Sequence, residues 1–312
     1  MGSMTMWKYI ARRILATIPV ILLVSIAVFS MLHLIPGDPV QVILGGEDVP
    51  AEQMEKLREK LGLNYPLHIQ YLRFLWKAFQ GDLGRSIYND RPVMAQIIEQ
   101  FPSTLELTIA GMIVGVFLGV LAGIIAALRQ NAWLDNVSMV TALMGVAMPS
   151  FWMGLLLIFL FSLKLGWVPA TGQGGVLRLI LPAFTLGFGA AAIIARLVRS
   201  SMLEVLRMEY ITTARAKGLV ERLVIIRHAL KNALIPVVTV IGLQFGQLLS
   251  GTVIIETVFS RRGIGRLAVQ AIIAKDFTLV QGTVLFTALI YVLANLLVDI
   301  SYSYIDPRIR YE

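Results

Sequence analysis

Stretches long and apolar enough to cross a lipid bilayer recur along this chain, and they narrow the fold more than any other feature. A helical span needs roughly 20 mostly apolar residues. Ile14 to Ile35, Leu107 to Leu128, Asn136 to Leu163, Asn232 to Ile255 and Phe277 to Val298 reach that length. Leu179 to Ala195 is shorter and lies near the lower limit for a span. The third stretch contains Pro149 and no charged residue. Only 15% of all residues are charged, far below the ~25% of soluble domains. The expected class is an all-α integral membrane protein with six transmembrane helices. The first stretch is too long for a signal peptide, and no small-residue cleavage site follows before "HLIPGDPV", so an uncleaved helix is expected. The leading Met-Gly-Ser before Met4 reads as an expression remnant and is set aside.

Lys and Arg in short loops set the orientation of such a chain. Lys8, Arg12 and Arg13 precede the first stretch. Basic residues from Arg196 to Lys231 lie between the fourth and fifth, and Arg308 and Arg310 follow the sixth. Six spans put all three regions on one side, the cytoplasm, with both termini there. Residues 1–35 then form the N-terminus and first helix, 36–101 an extracytoplasmic segment, and 102–312 a five-helix core. Arg261, Arg262, Arg266 and Lys275 fall on the outer side and oppose the rule locally. The net charge of +8 fits anionic lipid and topology; no nucleic-acid partner is expected. Within the outer segment, Met54, Leu57 and Leu61 have helical spacing ending at Gly62, and "HIQYLRFLWKAFQGDLG" repeats the pattern up to Gly81. Short amphipathic helices are predicted there.

Gly111, Gly115, Gly119 and Gly123 recur at every fourth residue of the second span and share one face. Small residues let helices approach closely in lipid, so these, with Gly242 and Gly246 in the fifth span, read as helix-packing positions. "FGAAA" at 188 to 192 thins the fourth span. Chemistry is sparse. No Gly-Lys dipeptide occurs, so a P-loop is excluded. His33, His68 and His228 have no spaced metal partners, there is no cysteine, and the serine of "MPSFW" has no matching base. No catalytic residue, metal or cofactor is expected on this chain. Glu106, Glu256 and Asp299 lie near span ends, where they read as reaching the headgroups.

The stretch "EYITTARAKGLVERLVIIRHALKNALIP", residues 209 to 236, is a basic island between apolar runs. Ser201 with Glu204 fits a capping box that opens a helix. Leu203, Leu206, Tyr210 and Ala214 follow at helical spacing. Arg215 and Lys217 suit the negative end of the helix dipole, and Gly218 sits where a left-handed cap is needed. A second helix is predicted from about Val220 to Lys231. The result is a cytoplasmic helical finger, about 200–231. Read from the residues alone, it is either a docking element or an amphipathic hairpin on anionic lipid.

The stretch "YITTARAKGL…RHALKNALIPVVTVIGLQFG" resembles the cytoplasmic coupling loop of ABC-importer permeases of the dipeptide, oligopeptide and nickel group. "HLIPGDPV", "QGDLGRS" at 80 to 86, "ARLVRSSMLEVL" at 195 to 206, "GIGR" at 263 to 266 and "NLLVDISYSYIDPRIR" at 295 to 310 match as well, in order and nearly end to end. The chain is similar to the first permease of the pair. Where the wider family has Glu-Ala-Ala, then three residues and Gly, this chain has Thr212, Thr213, Ala214 and Gly218. Where many peptide permeases have Trp-Pro before the outer glycines, it has Arg261 and Arg262, in a loop that the resemblance places at the substrate entrance. The resemblance implies a type I permease fold in a bacterial inner membrane. Its implied partners are a second permease subunit, two cytoplasmic ATPase subunits holding ATP and Mg, an extracytoplasmic solute-binding protein and membrane lipid. It also implies that Glu209, Tyr210, Thr213, Ala214, Arg215, Lys217, Gly218 and Leu219 couple the chain to the ATPases. The implied cargo is a short peptide, with nickel chelates or glutathione as alternatives. A secondary transporter or channel would need ion sites at mid-membrane and internal repeats; no acidic residue lies near the centre of any span, and no clear repeat is present.

Overall fold

The computed structural model describes residues 6–34, 40–41 and 50–305. Residues 35–39 of "HLIPGDPV", and Arg308 and Arg310, lie outside them. Among the described residues there are helices and no named strand. They are α1 (Met6–His33), α2 (Ala51–Leu61), α3 (Leu67–Phe79), α4 (Val93–Leu128), α5 (Trp133–Ala147) and α6 (Ser150–Lys164). Then come α7 (Leu177–Leu206), α8 (Glu209–Ala216), α9 (Glu221–Val258), α10 (Ile264–Ile273) and α11 (Phe277–Ile305). Five of these, α1, α4, α7, α9 and α11, are long and apolar enough to cross a bilayer, and the bent pair α5–α6 makes a sixth.

The third span is not one helix. α5 and α6 meet at 111°. Pro149 causes the break: its ring pushes the preceding residue out of the helical region, and Met148 is extended at φ −83° and ψ 125°. The fourth span is much longer than its apolar core, because α7 continues uninterrupted to Leu206. Ser201 therefore lies buried inside α7 and caps nothing. The helix expected over Val220 to Lys231 is also not separate. It runs through a wide π-helical stretch, Val224–Leu230, straight into the fifth span. α4 begins at Val93, so the end of the outer segment and the second span are one helix crossing residue 101.

α7 is the hub, packing on α4, α5, α6 and α9, while α1 stands at the edge against α11. The α4–α7 contact is set by glycine. A Cβ on Gly115 would lie 3.0 Å from the Gly187 carbonyl, one on Gly119 2.7 Å from Cβ of Ile194, and one on Gly123 2.6 Å from Cβ of Val198. Gly187 answers from α7, where a Cβ would strike the Gly111 carbonyl. Ala190, Ala191, Ala192 and Ala195 are buried along the same helix. This seam lies inside the chain. Gly246 in α9 faces Tyr291 and Asn295 of α11, while Gly242, one turn before it, is half-buried. Gly119→Leu is expected to lower the chain's own stability by at least the ~1–3 kcal/mol of overpacking. The check is its unfolding temperature in detergent without any partner; an unchanged midpoint would show that α4 and α7 part without cost.

In the outer segment, α2 stops at Gly62, which adopts φ 71° and returns its N–H to the Glu59 carbonyl. α3 is followed by Gly81 at φ 81°. The "QGDLGRS" stretch is pinned to the start of α11 by Asp276. Its carboxylate accepts from Ser86 Oγ at 2.5 Å and Ile87 N at 3.2 Å while also capping Leu279 N at 3.2 Å.

Candidate coupling site

The finger begins where α7 ends. Arg207 and Met208 turn the chain, and Met208 takes an extended conformation (ψ 145°) that opens α8. Glu209 stands in the first turn and Arg215 in the last, each at the end of the dipole that favours its charge. Gly218 has φ 78°, and a Cβ there would meet nothing within 4 Å. Its glycine is demanded by backbone geometry alone. Val220 then opens α9.

Two contacts bridge the turn. Arg215 Nη2 and Nε donate to the two Glu221 carboxylate oxygens at 2.7 and 3.1 Å, joining the last turn of α8 to the first of α9 across Gly218. The Glu221 carboxylate raises the Arg215 pKa above its ordinary value. Tyr210 Oη accepts from Asn232 Nδ2 at 2.8 Å, and the same Asn232 amide donates to the His228 carbonyl at 3.0 Å.

The finger's underside is apolar. Ile211 and Ala214 are buried in one cluster with Met202 and Val205 of α7 and Val224 and Ala229 of α9, and Leu219 packs at its edge. Ala214 belongs to the buried foot of the finger, 6% exposed. Glu209, Tyr210, Thr213, Arg215, Lys217 and Gly218 are exposed and form the upper surface. Beneath the foot, a clamp absent from the sequence reading holds α5 to α7. Arg199 Nε and Nη2 donate to Asp135 at 2.6 and 2.7 Å, and Asn131 N donates to the same carboxylate. Asp135 is only 2% exposed. An acid just before an apolar run and an arginine in "ARLVRS" were its only traces in the sequence.

α9 runs about 55 Å from this finger to the opposite end of the bundle. There Glu256 is fully buried, not at the headgroups as its position near a span end suggests. It accepts from Thr104 Oγ1 at 2.6 Å and Arg266 N at 3.0 Å, while Ile264 N donates to that threonine at 2.9 Å. Arg261 is also buried and donates to Glu106 at 2.9 Å. Arg266 Nη1 donates to the Ser260 carbonyl at 2.5 Å. These cations break the charge rule because they hold the outer loop together. Arg262 alone of the pair is exposed. At the other end of α11, Asp299 meets Arg13 at 2.9 Å. Among the described residues, no three His, Cys, Asp or Glu cluster as a metal site.

Residues 119–311 match the family described as "Binding-protein-dependent transport system inner membrane component", and residues 6–108 match its N-terminal membrane component. The chain belongs to this permease family. It is 44% identical over 307 residues to the glutathione transport system permease protein GsiC of Escherichia coli (strain K12), covering 98% of this chain and all of the relative. It is 45% identical over 334 residues to the dipeptide transport system permease protein DppB of Alkalihalophilus pseudofirmus, again over 98% of this chain and all of the relative. Among solved structures, an inward-facing MetNI methionine ABC transporter matches 68% of this permease and 97% of its own chain, with a TM-score of 0.59 at 19% identity. An amino acid ABC transporter gives 0.54 at 16% identity over 67% of this permease and 94% of that chain. These structures share the fold. The permease is thus a multi-pass inner-membrane subunit of an ABC importer and not itself an enzyme; the ATPase resides in partner subunits.

Proposed function

We propose that this permease forms, with a second permease, the path by which short peptides enter the cell, the class to which both a dipeptide and glutathione belong. Two ATPase subunits, holding ATP and Mg, dock on the exposed face of α8, and a solute-binding protein delivers cargo from outside. The observation that carries this reading is the continuity of α9. One end is locked to the finger through Glu221 and the other to the outer loop through Glu256. A push on α8 moves its buried foot, Ile211 and Ala214, and through it both α7 and α9. Packed helices switch between discrete arrangements and do not deform smoothly, so a displacement at the finger reaches the outer loop as a rearrangement of the bundle. Relatives named for glutathione and for dipeptides are similar at nearly equal identity, which supports the shared peptide class and neither cargo in particular. A nickel chelate is the second reading at family level.

The test is reconstitution. The permease alone in vesicles is expected to show neither ATPase activity nor uptake. With its sister permease, two ATPases and binding protein, vesicles are expected to accumulate labelled dipeptide or glutathione only with ATP and Mg. Uptake by the single chain would overturn the importer reading. ATP-driven uptake of a nickel chelate that peptides fail to compete would overturn the cargo.

A further inference from the structure

α3 belongs to the segment between the first two spans, yet it carries more apolar surface than its packing uses. It has no buried residue. One face leans on α1: Tyr71 and Phe74 lie 5.4 and 6.0 Å, ring to ring, from Phe29, and Gln70 meets His33 at 3.1 Å. A second face is polar, with Arg73 and Lys77 bordering a cavity of about 540 Å³. The third is open and, beyond His68 at its start, apolar. Leu72, Trp76 and Phe79 follow at steps of four and three, which places them together on the helix. They are 61%, 63% and 85% exposed, and no described residue covers them.

Depth identifies what covers this face. The Tyr71 hydroxyl lies 2.9 Å from Ser25 Oγ, and Ser25 sits about 12 Å before His33 along α1 at ~1.5 Å per residue. α3 therefore lies beside the last turns of the first span, not above them, where that span leaves the hydrocarbon. Leu23 in α1 and Leu34 just beyond its end are 69% and 78% exposed, so the first span also presents apolar surface to lipid over this depth. Its composition fits the same place. Tryptophan concentrates at the membrane–water boundary, and an amphipathic helix with cations on its polar face lies in the plane of that boundary.

We propose that α3 is an interfacial anchor, with Leu72, Trp76 and Phe79 seated in the outer leaflet and Arg73 and Lys77 turned toward headgroups and water. The contact fixes the height of the outer segment on the bilayer. The chain contains no cysteine, so single-cysteine variants take a nitroxide label at one position only. Leu72→Cys, Trp76→Cys, Phe79→Cys and Lys77→Cys are labelled in the full chain, reconstituted in vesicles of phosphatidylethanolamine and phosphatidylglycerol. Relaxation by oxygen is compared with that by a water-soluble nickel complex. The expected result is that oxygen dominates at 72, 76 and 79 and the nickel complex at 77. Removal of Trp76 by Trp76→Phe is expected to abolish a component of intrinsic fluorescence that brominated lipid quenches. Equal access of the nickel complex at all four positions, or shielding of 72, 76 and 79 from both agents by a protein neighbour, overturns the proposal. Transport is not measured, so the result stands apart from the importer reading.

Discussion

Gly218→Val is expected to leave the transporter assembled and uncouple it. At φ 78° a side chain costs about 1–2 kcal/mol, and a β-branched one more. No neighbour obstructs the added atoms, so the penalty falls on the turn alone. The chain relieves it by leaving the left-handed region, which redirects α8 relative to α9 and breaks the Arg215–Glu221 bridge. Ile211 and Ala214 still have their own pocket in α7 and α9, so the bundle itself persists. ATP hydrolysis should continue but lose most of its stimulation by loaded binding protein, and uptake should fall by about tenfold or more, ~1.4 kcal/mol in activation free energy. Gly218→Asn should retain most activity, since asparagine tolerates this conformation better than other side chains. Ala214→Arg should behave differently. A guanidinium forced into that apolar foot without a partner costs about 3–5 kcal/mol, so this variant should fail to accumulate or co-purify. The measurement is stimulated ATPase activity and uptake in vesicles, with assembly scored by co-purification. Full coupling in Gly218→Val would show that the finger's angle is irrelevant to transport.

What could be read from the sequence depended on how local its cause was. Gly62 is legible as a helix stop and Gly218 as a left-handed cap because the evidence for each lies within one turn of chain. Four glycines in steps of four announced a close helix contact, although not that its other side would be Gly187, Ala191 and Ile194 of the same chain. Non-local facts stayed hidden. Asp135 and Arg199 are 64 residues apart, and nothing near either one marks the other. Glu256 and Arg261 look alike in sequence, as charges near a span end. Burial separates them from the exposed Arg262, and burial depends on where α4 and α10 pack. The capping box at Ser201 misleads for a related reason: its local pattern is genuine, but α7 already supplies the helical hydrogen bonds there, so no helix start is needed. Pro149 is plain in the sequence, but the 111° bend it marks is not. Pro19, Pro102, Pro182 and Pro236 all lie within helices, and only tertiary packing distinguishes a tolerated proline from a break.

Glu256→Ala is expected to be the most damaging single change at the outer end, and its effect should depend on Gly263. Removing the carboxylate leaves the Thr104 hydroxyl and the Arg266 amide without their acceptor in a buried site. Each orphaned donor costs about 1–3 kcal/mol. Glu256→Gln should cost less, because the amide oxygen still accepts while its NH2 does not. The same carboxylate fills the space in front of Gly263: the three atoms nearest to a Cβ built there all belong to Glu256, at overlapping distances. Gly263 has an extended backbone, φ 172°, so no conformational strain is involved and glycine is required only for room. Gly263→Ala alone should therefore be strongly destabilising. In the Glu256→Ala background the obstruction is gone, and the added methyl should cost little or even fill part of the void. Residues in direct contact couple by about 0.5–3 kcal/mol, and here the sign should favour the double variant over the sum of the singles. The four proteins are compared by thermal or denaturant unfolding in one detergent. If the two losses simply add, Gly263 and Glu256 do not share that space, and the outer loop is held by Arg261 and Glu106 instead.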